Sequence, residues 1–346
     1  MTAPTPFLSV IVPAHQGEPF LAETLAALAA GDLPRSHWEL IVVDDASTDA
    51  TSAIAQTWAD RVVVLIPPAH GPAFARNRGV EASRGEWVVF IDADVRVHPE
   101  TLRRFVETIH ANPGMDAVFG AYDENPSESG FLSRYRNLLH RYVHLMSAGE
   151  SDTFWAGCGA IRRSTFDAVG GFDEVRYPRP QIEDIDLGYR LHDRGFRTLI
   201  EPAIQGAHLK RWTFAGALRT DLLDRGIPWV RLLLERERLT KPANLNLKQG
   251  ESLKIALVGT ALLLLLLAWP VRRPELLVPA GVALALVLAS NHALFGWFLR
   301  REGPMFAIAV LPFNLWYYAV SGMAVAAGLW LHLSRRRAGT PQEVRQ

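Results

Sequence analysis

The sequence predicts a doubly wound α/β domain with a mainly parallel sheet, followed by an α-helical membrane domain. Three observations predict this. From Leu8 to Ile200, short apolar runs alternate with amphipathic stretches, the pattern of parallel strands joined by right-handed helical crossovers. Two of those runs stop at paired carboxylates: Glu39–Val43 at Asp44-Asp45, and Trp87–Ile91 at Asp92-Ala93-Asp94. Acids at strand ends fall on the carboxyl edge of a sheet, where open α/β folds bind ligands. Finally, between Ile255 and Phe298 the only formal charges are Arg272, Arg273 and Glu275, whereas the chain up to about residue 250 mixes charged and apolar residues. The expected division is 1–240 for the soluble domain and 241–346 for juxtamembrane and transmembrane helices.

Taken in order, Leu8–Val12 is a short strand ending at Pro13, and Leu21, Leu25 and Leu28 line one face of a helix. Glu39–Val43 is the second strand, and the helix after it is expected to be capped by Ser47 or Thr48. Val62–Ile66 reads as a third strand and Phe74–Ala82 as a helix. Trp87–Ile91, five apolar residues, suits a fully buried strand. Pro99–Ile109 reads as a helix with Pro99 in its first turn, and Asp116–Tyr122 as a strand. Leu132, Tyr135, Leu139 and Tyr142 recur at helical spacing, a stripe for the core or a membrane surface. Phe154–Ala160 is loop-like and rich in small residues, which suits either close approach to a ligand or a tight turn. A short helix starts at Ser164, another runs from Ile182 to a stop at Gly195, and Arg197–Ile200 makes the last strand.

The 346 residues carry 36 basic and 36 acidic side chains, and this zero balance gives no footprint for nucleic acid. Cys158 is the single cysteine, so neither an intrachain disulfide framework nor a cysteine-based zinc site is available, and it reads as a small buried filler. Met1–Phe7 lacks the layout of a secretory leader.

The candidate chemistry lies in the acids. Asp92 and Asp94 offer hard oxygen ligands for Mg²⁺ or Mn²⁺, ions that usually share their shell with nucleotide phosphates; the bland reading is a surface turn. Asp44 and Asp45 suit a nucleoside or a helix cap. Arg76 suits phosphate or base oxygens, or a salt bridge to a nearby Asp. Asp184 stands where a helix begins, as a general base or as a partner of the helix dipole. His208 could complete a metal site or contact a diphosphate, with Lys210 and Arg211 as neutralising cations; a structural role is the alternative.

Six segments, Ser9–Pro13, Val42–Asp49, Ala75–Gly79, Phe90–Asp94, Gly170–Glu174 and Glu183–Arg190, together resemble the family 2 glycosyltransferases with the GT-A fold. The resemblance implies inverting transfer of a sugar from a nucleotide-activated donor, assisted by Mg²⁺ or Mn²⁺. It implies that Pro13, Asp45 and Arg76 contact the nucleoside with Asp44 close by, and that Asp92 and Asp94 hold the donor diphosphate through the metal. Asp184 is then the base, with Glu183 beside it among the substrate-binding residues. Processive relatives carry Gln-x-x-Arg-Trp where this chain has His208-Leu-Lys-Arg-Trp212, which leans towards single transfer and places Arg211 and Trp212 among the substrate-binding residues. The aromatic–Asn pair usual after the first Pro is replaced by Ala14-His15-Gln16, which leaves the base open. Rival readings are a nucleotidyltransferase, for which Ala14–Pro19 lacks the Gly-rich basic loop, and a catalytically inactive sugar-nucleotide-binding or assembly subunit.

In the membrane half, Leu253–Trp269, Leu276–Ser290 and Pro304–Leu333 are candidate spans, with Asn291–Arg301 interfacial. Two or three crossings are expected, in a multi-pass cell-membrane protein whose catalytic domain is cytoplasmic. The expected acceptor is lipid-linked or a glycan.

Overall fold

The computed structural model describes residues 6–238 and 250–337. They divide into two compact units, one ending at Trp212 and the other beginning at Thr213.

The first unit contains β1 (Leu8–Ala14), α1 (Leu21–Ala29), β2 (Trp38–Asp44), α2 (Thr51–Trp58), β3 (Arg61–Val64), α3 (Pro72–Ala82) and β4 (Trp87–Ile91). It continues with β5 (Val95–Val97), α4 (Thr101–Ala111), β6 (Ala117–Tyr122), α5 (Phe131–Leu145), β7 (Gly149–Ser151) and β8 (Cys158–Arg162). It closes with α6 (Arg163–Ala168), α7 (Glu183–Asp193) and β9 (Thr198–His208). Among the described residues, nine strands form one sheet, ordered β3-β2-β1-β4-β8-β6-β9-β5, with β7 on β9. The β3-β2-β1-β4 half is parallel throughout, as the alternation of elements requires. The other half is mixed: β8 runs antiparallel between β4 and β6, and β6 pairs parallel with β9.

Strands β1, β2 and β4 are largely apolar and buried because helices cover both faces, whereas the edge strand β3 is exposed to half-buried. All five residues of β4 and all seven of β2 are buried. Leu21, Leu25 and Leu28 of α1 are buried in the same cluster as Val10, Val12 and Val89. Each fully buried aliphatic side chain contributes about 1.5–3 kcal/mol relative to exposure.

Several expectations are corrected. The helix after β2 begins at Thr51, not behind a Ser47 or Thr48 cap. Ser47 Oγ accepts from Gln16 N at 3.0 Å and Thr48 Oγ1 from Gln16 Nε2 at 2.9 Å, so both serve the loop after β1, while Asp49 Oδ1 accepts from Thr51 N at 3.0 Å. Pro99 lies before α4 rather than in its first turn. The loop-like stretch at 154–160 runs into β8, whose small residues pass close to Phe154 and Trp155. β9 continues to His208, well past Ile200.

The stripe expected on 131–146 is also displaced. The buried face of α5 is Ser133, Tyr135, Asn137, Leu138, Arg141 and His144, largely polar because it meets backbone carbonyls of β6, of β9 and of the residue after β6. Asn137 Nδ2 donates to Asp123 O, Arg141 Nη1 to Pro202 O, and His144 Nδ1 to Gly120 O at 2.8 Å. Hydrophobic periodicity cannot see such a face. Burial pushes the His144 pKa down from 6.5 to about 4. The folded state therefore holds the ring neutral, and its stabilising contribution is complete above pH 6.5 and lost as pH falls towards 4. The expected loss over that window is on the order of 3 kcal/mol. Unfolding midpoints of the detergent-solubilised chain should fall with pH more steeply than those of His144→Asn, whose amide keeps a donor for Gly120. Parallel pH profiles would refute this assignment.

The second unit is helical: α8 (Phe214–Arg219), a π-helical stretch Thr220–Gly226, α9 (Ile227–Glu235), α10 (Glu251–Ala268), α11 (Leu277–Ser290), α12 (His292–Glu302) and α13 (Pro304–Arg337). Glu251–Ala268 and Pro304–Ser334 are long and apolar enough to cross a membrane; α11 and α12, bent by 60°, would make a third span if they act as one. Leu262, Leu263, Leu266, Val278 and Val282 are exposed, as lipid-facing residues would be. Where α10, α13 and the α11–α12 junction meet, Lys254 Nζ donates to Glu251 (2.7 Å) and Asn291 (3.0 Å), and Tyr318 donates to Glu251 (2.9 Å). The part of the juxtamembrane stretch at 239–249 lies outside the described residues.

Candidate active site

The sheet register assembles the site. Ala14 lies beside Asp44 and Ile11 beside Phe90, so Pro13, Asp44 and Asp92 emerge together at the carboxyl edge of β1, β2 and β4. Asp44 is buried and its Oδ1 accepts from Ser47 N at 3.0 Å. Asp45 is buried too, with His70 N and Gly71 N donating to its carboxylate. Pro13 is half-buried and lies beside Val43 in the sheet register.

Arg76, on α3, is the centre of the cluster. It is 5% exposed, donates through Nη1 to Glu183 Oε1 at 2.9 Å and through Nη2 to Asp92 Oδ1 at 2.7 Å, and packs 5.4 Å from the Phe172 ring. Burial disfavours its charge, but Asp92, Glu183 and Asp184 outweigh burial and raise its pKa further. Sequence reading left phosphate contact and salt bridge open; in this structure the salt bridge is formed. Glu183 is likewise occupied: its second oxygen accepts from Gln181 N at 2.9 Å.

Asp184 arrives at the first turn of α7 because that helix packs backbone to backbone on the 153–154 segment. A Cβ on Gly188 would lie 2.3 Å from Phe154 N, which only glycine avoids. Asp184 is partly exposed; Oδ2 accepts from Ala156 N at 3.3 Å and Oδ1 from Ile185 N at 2.8 Å. Its neighbour Asp186 is buried and paired with Arg190 at 2.9 Å.

Asp94 and His208 meet at 3.4 Å, because β5 pairs antiparallel with the end of β9. Burial opposes ionisation of Asp94, yet the hydrogen bond to His208 and the charges of His208 and Lys210 outweigh it and hold its carboxyl below the usual range. The His208 ring stacks on Tyr122 with centroids 4.7 Å apart. Among the described residues, no three His, Cys, Asp or Glu side chains are grouped as a metal centre. The expected trio is thus divided, with Asp94 on His208 and Asp92 on Arg76. Two neighbouring donors, Asp94 and His208, are what the chain itself presents, which suits an ion completed by diphosphate and water rather than an all-protein cage.

Arg211 is exposed, while Trp212 is half-buried between Arg136 (4.0 Å) and Lys210 (4.9 Å) and donates its backbone N–H to Ser133 Oγ. Cys158 is fully buried and burial pushes its thiol well above the ordinary range, as a packing residue. Sequence reading missed His70, Tyr122 and Ala156. They touch Asp45, His208 and Asp184 across 25 or more residues, and no local spacing encodes that.

Residues 9–170 match the model of the family described as Glycosyl transferase family 2. The chain is 36% identical over 124 residues to glycosyltransferase AglE of Haloferax volcanii, covering 35% of this chain and 40% of that protein. It is 30% identical over 172 residues to the undecaprenyl-phosphate 4-deoxy-4-formamido-L-arabinose transferase of Pseudomonas fluorescens, covering 48% and 50%. The chain therefore spans half or less of these curated relatives. The structure of mannosyltransferase PcManGT from Pyrobaculum calidifontis, in complex with GDP-Man and Mn²⁺, superposes with a TM-score of 0.59 at 22% identity, covering 94% of this chain and 87% of that one. That likeness establishes the fold.

Proposed function

We propose, from the premise that residues 9–170 form a Glycosyl transferase family 2 domain, that this chain is an inverting glycosyltransferase using a nucleotide-sugar donor. The observation that carries the reading is the convergence of Asp92, Arg76, Glu183 and Asp184 at one sheet edge, next to Asp44 and Asp45. The acceptor hydroxyl attacks the anomeric carbon from the face opposite the diphosphate. Asp184 takes its proton as the new C–O bond forms, and the old C–O electron pair leaves with the diphosphate. Lys210 adds positive charge on the side of Asp94. Asp94 and His208, with Asp92 two residues before Asp94, would hold Mg²⁺ or Mn²⁺, which would supply Lewis-acid stabilisation of the leaving diphosphate. That a fold neighbour carries GDP-Man and Mn²⁺ supports the use of a divalent ion.

The helical unit anchors the chain in the bilayer through two or three spans, with the catalytic unit on the cytoplasmic side, where nucleotide sugars are made. The acceptor is lipid-linked or a glycan, and a relative named for undecaprenyl phosphate supports the lipid alternative.

The test is release of nucleoside diphosphate by membranes carrying the chain, across UDP-, GDP- and dTDP-sugars with Mn²⁺ or Mg²⁺ and added lipid extract. One donor should be consumed, with release abolished by EDTA and by Asp94→Asn. Release from no donor would instead support an inactive sugar-nucleotide-binding subunit.

A further inference from the structure

Asn77 follows Arg76 on α3 and holds backbone 95 residues away. Oδ1 accepts from Phe172 N at 3.0 Å, and Nδ2 donates to Phe172 O at 2.9 Å and to Glu174 Oε2 at 2.7 Å. One amide therefore pairs both backbone groups of Phe172, as a neighbouring strand would. Arg78 Nη2 donates to the same Glu174 oxygen at 3.1 Å. Gly171 permits the approach: its φ is +67°, and a Cβ there would lie 2.8 Å from Asn77 Oδ1.

The clamped residue begins the segment that delivers the acids of α7. The Phe172 ring is 2% exposed, lies 5.4 Å from the Arg76 guanidinium and meets Phe90 edge-on with centroids 5.2 Å apart. Of residues 173–181 only Tyr177 is buried, so apolar packing does little to fix their path. Backbone contact with α3 does more. Beyond Asn77, Pro178 passes the start of α3 so closely that a Cβ on Gly71 would lie 2.7 Å from Pro178 O. The segment ends at Glu183, which pairs with Arg76, and at Asp184. Helix α3 thus carries the guanidinium that Glu183 needs and grips the chain that brings Glu183 and Asp184 to it.

We infer that Asn77 is a positioning residue for sugar transfer: by holding Phe172 against α3, it sets where the head of α7 presents Asp184. This rests on the glycosyl-transfer reading of the site and on Asp184 as its base. The Asn77 amide is engaged within the protein, so removing it displaces the acid without deleting a contact to donor or acceptor. A displacement of about 1 Å at a reacting group lowers a rate by about 10²-fold.

The test is sugar transfer by the detergent-solubilised full chain, from the donor that wild type consumes, to lipid extract and to azide, an anionic nucleophile that needs no base. Asn77→Ala should lower kcat with lipid extract about 10–100-fold. Binding of the matching nucleoside diphosphate with Mn²⁺ should stay within about twofold, and azide transfer should stay near wild type. In an Asp184→Asn background, Asn77→Ala should lower kcat no further. Asn77→Asp keeps an acceptor for Phe172 N but sets a second carboxylate against Glu174, so it should lose as much. Adding Glu174→Gln, whose amide can donate to that carboxylate, should recover part of the kcat, and this pair carries the comparison if Asn77→Ala does not fold. The inference is overturned if kcat in Asn77→Ala lies within about twofold of wild type, or if its azide transfer falls as far as transfer to lipid extract. Losses that multiply in the double variant would overturn it too. Azide transfer that falls in Asp184→Asn would remove the base and this inference with it, whereas wild type that consumes no donor would overturn the glycosyl-transfer reading itself.

Discussion

Arg76→Met should destabilise the protein by about 3–5 kcal/mol and abolish sugar transfer. The side chain is buried and bridges two carboxylates on different elements, Glu183 at the head of α7 and Asp92 after β4. Methionine fills much of the volume but leaves Glu183, itself 5% exposed, as a buried carboxylate without its counter-charge. That loss of a partner, rather than the intrinsic strength of the pair, sets the magnitude. Two further variants separate the causes. Arg76→Lys restores charge at one point but cannot fork to both acids, so it should recover stability partially. Arg76→Met combined with Glu183→Gln removes the orphaned charge and should recover more than half of the loss, while transfer stays absent because Asp92 has lost its guanidinium. Denaturant midpoints in detergent measure the first effect and diphosphate release the second. An Arg76→Met protein within about 0.5 kcal/mol of wild type would show that water already solvates Glu183.

How much of this was legible in the sequence depends on the range over which each feature is encoded. Strands β1, β2 and β4 were readable because burial on both faces makes an unbroken apolar run, and their terminal acids were readable because they interrupt it. The start of α7 was readable from Glu183 and Asp184 ahead of its helical pattern. In the mixed half only β6 and the start of β9 were. β5 is three residues long, β8 opens with Cys158, Gly159 and Ala160, and the later part of β9 contains Pro202, Ala203, Gly206 and Ala207 with little periodicity. The polar face of α5 was hidden for the opposite reason, since it buries donors aimed at carbonyls of β6 and of the β9 bend. At the site, residue types were legible but their pairing was not. Whether Arg76 meets phosphate or carboxylate depends on how closely α3 approaches α7, and no spacing within either helix carries that distance.

Asp184→Asn should lower kcat for sugar transfer by about 10²–10⁴ while leaving donor binding nearly unchanged. The carboxylate holds two backbone amides, Ala156 N and Ile185 N, and lies in the field of Arg76. A purely structural role is therefore a serious competitor, and loss of turnover alone would not decide between them. The amide oxygen of asparagine can keep one of those two contacts but cannot take a proton at neutral pH. If Asp184 is the base, the defect should disappear when the nucleophile needs no deprotonation. An anionic nucleophile such as azide, offered with the preferred donor, should then give glycosyl azide at comparable rates in Asp184→Asn and wild type. The acid limb of the pH–rate profile with the natural acceptor should also vanish in the variant. If azide transfer falls together with hydroxyl transfer, Asp184 acts by holding the 155–157 backbone in place, and the proton acceptor must be sought elsewhere along the same sheet edge.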